Sequence, residues 1–126
     1  MIYGIGTDIV SYARIKSLYE KYGERAAERM LSAAEQAEYA LCADQARYLM
    51  KRFAAKEAFA KAMGTGLRAS VTLRRITVGH DDLGKPLLFF DEVLSAYVAR
   101  TGVTRHHVSI SDEREHAVAF VVLERE

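Results

Sequence analysis

From Asp44 to Met63 the chain runs without a glycine or proline, through "QARYLMKRFAAKEAFAKAM", and breaks only at Gly64. Asp44 suits an N-cap and Gly64 a C-terminal cap, so the segment predicts one long helix. Its alanines, phenylalanines and methionines mark that helix as buried, and the rest of the chain must supply the surfaces that cover it. A chain of 126 residues is long enough to do so as a single domain over residues 1–126, without disulfides or a structural metal.

Ahead of the helix, "IYGIGTDIV" alternates as a strand, with Tyr3, Ile5, Thr7 and Ile9 on one face and Gly4, Gly6 and Asp8 on the other. A face of glycines admits something close to the backbone. Helical pattern follows from about Ser11 to Tyr22, breaks at Gly23 and resumes through "ERAAERML". Ser32 with Glu35 three residues on predicts a capping box and another helix. Beyond Gly64 come strand-like "SVTLRRITVG", the turn "HDDLGKP", the strand "LLFF" and a helix from about Asp91 to Thr101. "HHVSIS" and the apolar "HAVAFVVLE" then read as a hairpin whose second strand is central. The expected fold is α+β, a single antiparallel-rich sheet packed with helices on one face.

Half of the residues are hydrophobic, yet no apolar run approaches the roughly 20 residues of a membrane span. The opening "MIYGIGTDIV" lacks the basic and apolar regions of a signal peptide, and Cys42 has no partner. A soluble protein in a reducing, cytoplasmic compartment is expected. The formal net charge of +1 conceals a basic segment, since residues 45–75 hold eight lysines and arginines against one carboxylate, Glu57. A solvated helix face and a site for phosphate groups or an acidic partner both fit that charge.

On a helical wheel, Ala46, Met50, Phe53, Ala54 and Ala60 lie within about 60° of Glu57, so its face is largely apolar. Burying a carboxylate costs several kcal/mol unless it is paired, and a Glu57–Lys61 pair one turn apart offsets only about 0.2 to 0.5 kcal/mol. Asp8, on the glycine face of the first strand, either caps the helix near Ser11 or turns toward chemistry. If Asp8 and Glu57 converge, their repulsion calls for a cation, and two oxygen donors with open positions suit Mg²⁺ shared with phosphates. Lys61 and its basic neighbours would then hold phosphate oxygens, beside the loop Gly64-Thr65-Gly66. No Walker A motif, dinucleotide fingerprint, zinc ligand spacing or Gly-x-Ser-x-Gly elbow is present. His107 shares a polar strand face with Ser109 and Ser111, where a hydrogen-bonded structural role competes with contact to phosphate.

Taken together, "GIGTDIV", "RFAAKEAFAKAMGTG", "LGKP" and "HVSIS", in that order and spacing, make the chain resemble the holo-acyl-carrier-protein synthases, the small bacterial phosphopantetheinyl transferases. The resemblance spans nearly the whole length. It implies transfer of 4′-phosphopantetheine from coenzyme A to a serine of apo acyl carrier protein, releasing adenosine 3′,5′-bisphosphate, in support of fatty acid biosynthesis. It further implies Mg²⁺ held by Asp8 and Glu57, with Lys61 on the pyrophosphate. Arg52, Lys56, His107 and the loop Gly64, Thr65 and Gly66 contribute to the coenzyme A site by the same analogy, with Pro86 of "LGKP" near the adenine. Arg14, Lys21 and Arg25 would receive the acidic carrier. The family is typically trimeric, with each site between subunits. Val10 departs from the larger phosphopantetheinyl transferases, which carry a further acidic residue there, so water is expected at that metal position. A nucleic-acid-binding module is the competing reading of the basic segment. It expects aromatics on an exposed sheet face, where the predicted strands carry Thr, Ser and His, and it leaves Glu57 without a purpose.

Overall fold

The computed structural model describes all 126 residues. The first strand, β1 (Ile2–Ser11), leads into α1 (Tyr12–Tyr22), where Ser11 Oγ accepts the Arg14 N–H and caps the helix. Ser11 is thus the cap, and Asp8 is not. After a turn at Gly23 come α2 (Glu24–Met30) and α3 (Ala33–Ala40), and α3 opens with the full capping box between Ser32 and Glu35. The long helix, α4 (Gln45–Met63), starts where Asp44 accepts the Arg47 N–H and ends where Gly64 turns left-handed at φ 81°. A 3-10 turn (Leu73–Arg75), β2 (Ile76–His80), β3 (Pro86–Phe90), α5 (Glu92–Arg100), β4 (Val103–Asp112) and β5 (His116–Arg125) complete the chain.

The strands form two sheets where one was expected. One is antiparallel, in the order β1-β5-β4 with the apolar β5 at its centre, and the other is the β2–β3 hairpin. Side chains fill the gap between β3 and β4: the Phe90 ring meets His106 edge-on at 5.3 Å and lies 4.9 Å from Phe59.

Helix α4 crosses the inner face of β1 and β5. A Cβ at Gly6 would collide with the carbonyl oxygen of Ala58, and one at Gly4 with that of Ala62. Glycines on the strand against alanines on the helix therefore bring the two backbones into direct contact. Ala117, Ala119, Val121 and Leu123 of β5 join Leu49, Met50 and Phe59 in one contiguous core beside that contact. The outer face of the same sheet is more apolar than its Thr, Ser and His suggest. Ile5 is 58 % exposed there, Ile9 64 %, Val118 40 % and Phe120 45 %. No helix is long and apolar enough to cross a membrane.

Candidate active site

The contact between β1 and α4 delivers the candidate site. Asp8 stands on the glycine face of β1, two residues beyond Gly6, and α4 presents Glu57 and Lys61 one turn apart. Lys61 Nζ donates to Asp8 Oδ1 at 2.9 Å and to the Thr7 carbonyl at 3.1 Å. Lys61 thus bridges to the strand carboxylate rather than to Glu57 on its own helix. The Asp8 side chain is 15 % exposed, so this pair is only partly screened by water.

Glu57 is half-buried, not wholly buried as its helical wheel suggested. Its carboxyl is pushed up from its usual range, first by burial and then by the charge of Asp8, while Lys61 and Arg14 oppose the shift. Arg14 reaches this corner from α1, its guanidinium 5.6 Å from the centre of the Phe53 ring. The arrangement fits a hard divalent cation: two carboxylates from different elements repel each other, and a cation between them removes the repulsion. No group of three or more candidate metal ligands exists in the chain, so the other positions of such a cation fall to substrate oxygens and water.

Beyond Lys61 the chain turns at once into the loop of Gly64, Thr65 and Gly66. The Gly64 N–H donates to the Lys61 carbonyl, the Gly66 N–H to that of Ala60, and Thr65 Oγ1 to that of Gly66 at 2.7 Å. Both glycines have positive φ, 81° and 66°, which keeps the turn tight at the end of α4 that carries Lys61.

Other expected site residues lie elsewhere. Arg52 and Lys56 share a face of α4 turned about 140° from Glu57 and Lys61. Lys56 is completely buried, and its Nζ donates to the Met30 carbonyl at 2.7 Å, the Leu73 carbonyl at 3.0 Å and the Glu35 carboxylate. An ammonium has three N–H donors and all are taken, so the expected coenzyme A contact of Lys56 is corrected to a core contact. Burial pulls the Lys56 ammonium below its usual range, and Glu35 opposes that shift. The charge that α4 buries completely is Lys56. Arg52 stacks its guanidinium 3.8 Å over the Tyr48 ring, 4.0 Å from both Glu35 and Glu38, with Nε unpartnered. His107 stands on the outer face of β4, its Nε2 3.3 Å from Glu124. It lies in register with Val122 and, across β5, with Ile5, so it occupies the face of the sheet opposite Asp8. Pro86 opens β3 after a turn in which Asp81 accepts the N–H groups of Leu83 and Lys85.

On α1 and α2, the Lys21 ammonium lies 5.3 Å from the centre of the Tyr22 ring. Arg25, with Leu18, Tyr22, Arg29, Met30 and Leu73, lines a cavity of about 390 Å³. Sequence reasoning found neither this apolar groove nor the Glu35–Lys56 pair. Glu35 was legible only as half of a capping box, and nothing local links it to Lys56.

A lysine and two carboxylates gather where a helix crosses an antiparallel sheet, a set chemically able to hold phosphate groups together with a cation. The sequence model of the 4'-phosphopantetheinyl transferase superfamily matches residues 4–121, and the chain belongs to that family. It is 58 % identical over 124 residues to a holo-[acyl-carrier-protein] synthase of Laribacter hongkongensis, covering 98 % of this chain and 99 % of the relative. The crystal structure of such a synthase from Neisseria meningitidis superposes with a TM-score of 0.97 at 50 % identity, over 99 % of this chain and 100 % of that one. A Bacillus anthracis synthase in complex with CoA (3',5'-ADP) follows at a TM-score of 0.83 and 38 % identity, over 100 % of this chain and 99 % of that one.

Proposed function

We propose that this protein transfers 4′-phosphopantetheine from coenzyme A to a serine of apo acyl carrier protein, as a cytoplasmic enzyme supporting fatty acid biosynthesis. The observation that carries the reading is the convergence of Asp8, Glu57 and Lys61 from β1 and α4. The carrier serine hydroxyl attacks the β-phosphorus of coenzyme A in line and gives up its proton to water, the new P–O bond forms as the bond to the leaving phosphate breaks, and adenosine 3′,5′-bisphosphate departs. When bound between Asp8 and Glu57, Mg²⁺ supplies charge neutralisation on the pyrophosphate oxygens. Lys61, with its side chain 52 % exposed, turns its ammonium to the same oxygens and stabilises charge on the leaving group. Arg14 keeps positive charge at the mouth of the site, and the Gly64 to Gly66 loop borders the phosphates with its backbone.

The carrier docks on α1 and α2. Arg14, Lys21 and Arg25 face its acidic helix, and the groove between Leu18 and Met30 receives its apolar side chains. The working enzyme is a homotrimer. Asp8 faces inward and His107 outward in one chain, so a single coenzyme A touches both kinds of surface only where two copies meet. The exposed apolar patch around Ile9 and Phe120 is the surface those copies cover. Arg52 and His107 then serve coenzyme A bound across the junction.

The test is intact mass spectrometry after incubation with coenzyme A, Mg²⁺ and a bacterial apo acyl carrier protein. One phosphopantetheine is added by the wild type and none by Glu57→Ala. A folded protein that modifies none of several carriers would end the reading.

A further inference from the structure

Lys56 and Glu35 form a wholly buried ion pair that the reaction itself does not use. Their contacts span the molecule. Lys56 Nζ ties α4 to the last carbonyl of α2, at Met30, and to the 3-10 turn at Leu73. Glu35 accepts the Lys56 ammonium and the Ser32 N–H on one oxygen, and the Val78 N–H of β2 at 2.9 Å on the other. Every proton and both oxygens are engaged. On α4, Lys56 points about 160° away from Ala58, where the glycine face of β1 presses on the helix. The helix is therefore held from two sides, by backbone contact on one and by a charged pin on the other.

Stability alone does not call for such a pin, because replacing a buried ion pair by apolar residues of similar volume is often neutral or stabilising. An apolar contact, however, tolerates small rotations that three directed hydrogen bonds do not. A rotation of α4 would carry Glu57 and Lys61 away from Asp8. The two carbonyls that Lys56 grips belong to Met30 and Leu73, which also line the groove on α1 and α2. We infer that Lys56, held by Glu35, is a positioning residue that fixes the rotation of α4 for transfer and joins the floor of the carrier groove to the helix bearing Glu57. This rests on the reading of Glu57 and Lys61 as phosphate-site residues.

Removing one partner alone leaves a buried orphan charge, so the decisive variant is the double Glu35→Gln, Lys56→Met. It is expected to remain folded at the assay temperature, although buried Arg52 loses the Glu35 charge beside it, while kcat, at saturating coenzyme A and carrier, falls at least about tenfold. The KM for coenzyme A rises by less than kcat falls, since what is lost is the alignment of Glu57 and Lys61 with Asp8. Wild-type kcat in the folded double variant overturns the inference, as does a loss of activity that merely tracks a lowered unfolding temperature. Glu57→Ala in the same assay separates the two readings: if it is inactive while the double variant is fully active, only the positioning role falls. Full activity of Glu57→Ala would remove both.

Discussion

Glu57 sits where water is scarce and a second carboxylate is close. Its folded-state pKa lies above the ordinary value of 4.5, so ionisation costs more in the fold than in the unfolded chain. The sign follows from linkage: the favourable contribution of such a group is present below its ordinary pKa and is lost as pH rises through the raised one. In the presence of a chelator, Glu57→Gln should therefore raise the unfolding temperature by a few degrees at neutral pH. The gain should shrink as the pH falls through the raised pKa and be gone below about 4.5, and scanning calorimetry across that range checks it. A glutamine variant less stable than wild type at neutral pH would mean that the carboxylate is already well paired. The same substitution should abolish transfer under the proposed function, because the site loses one of its two carboxylates. Stability and activity then move in opposite directions, as they do where a fold carries strain for chemistry.

At the scale of elements, the junction of β1 and α4 decides whether a site exists. The atoms facing Gly6 are backbone atoms of Ala58 and Ala62, which cannot rotate aside. Gly6→Ala should accordingly cost about 1 to 3 kcal/mol, read as a lower denaturant midpoint with an unchanged slope, and should slow transfer by displacing Asp8 from Lys61. An unchanged midpoint would show that strand and helix do not touch as described. Element ends were legible in the sequence because capping is local: Ser11, Ser32, Asp44 and Asp91 each accept a backbone N–H three residues on, and Gly64 turns left-handed. The division into two sheets was not legible, since strand pattern records which face is buried and not which neighbour lies alongside.

For the whole molecule, the proposed trimer and the proposed carrier docking assign partners to the outer sheet face and to the cationic first helices. Native protein should sediment near three times the 14.1 kDa chain mass. Ile9→Glu, which places a charge in the middle of the patch, should shift it to the single-chain mass with at least a tenfold loss of transfer. A monomeric wild type with full activity would refute the shared site. Arg25→Glu, in the groove on α1 and α2, should weaken carrier binding most at low salt and leave coenzyme A affinity unchanged, as isothermal titration at two ionic strengths would reveal. Equal carrier affinity in variant and wild type would move the docking surface elsewhere.

By itself the sequence determined the helix limits, the two faces of β1 and the central place of β5. Local capping rules and the periods of strand and helix are enough for those. Only the tertiary structure decided that Lys56, not its neighbour Glu57, is the buried charge of α4, that Lys61 reaches Asp8, and that His107 and Asp8 stand on opposite faces of the sheet. A helical wheel gives the angle at which a side chain leaves its helix, but what waits at that angle comes from Met30, Glu35 and Leu73, all distant along the chain.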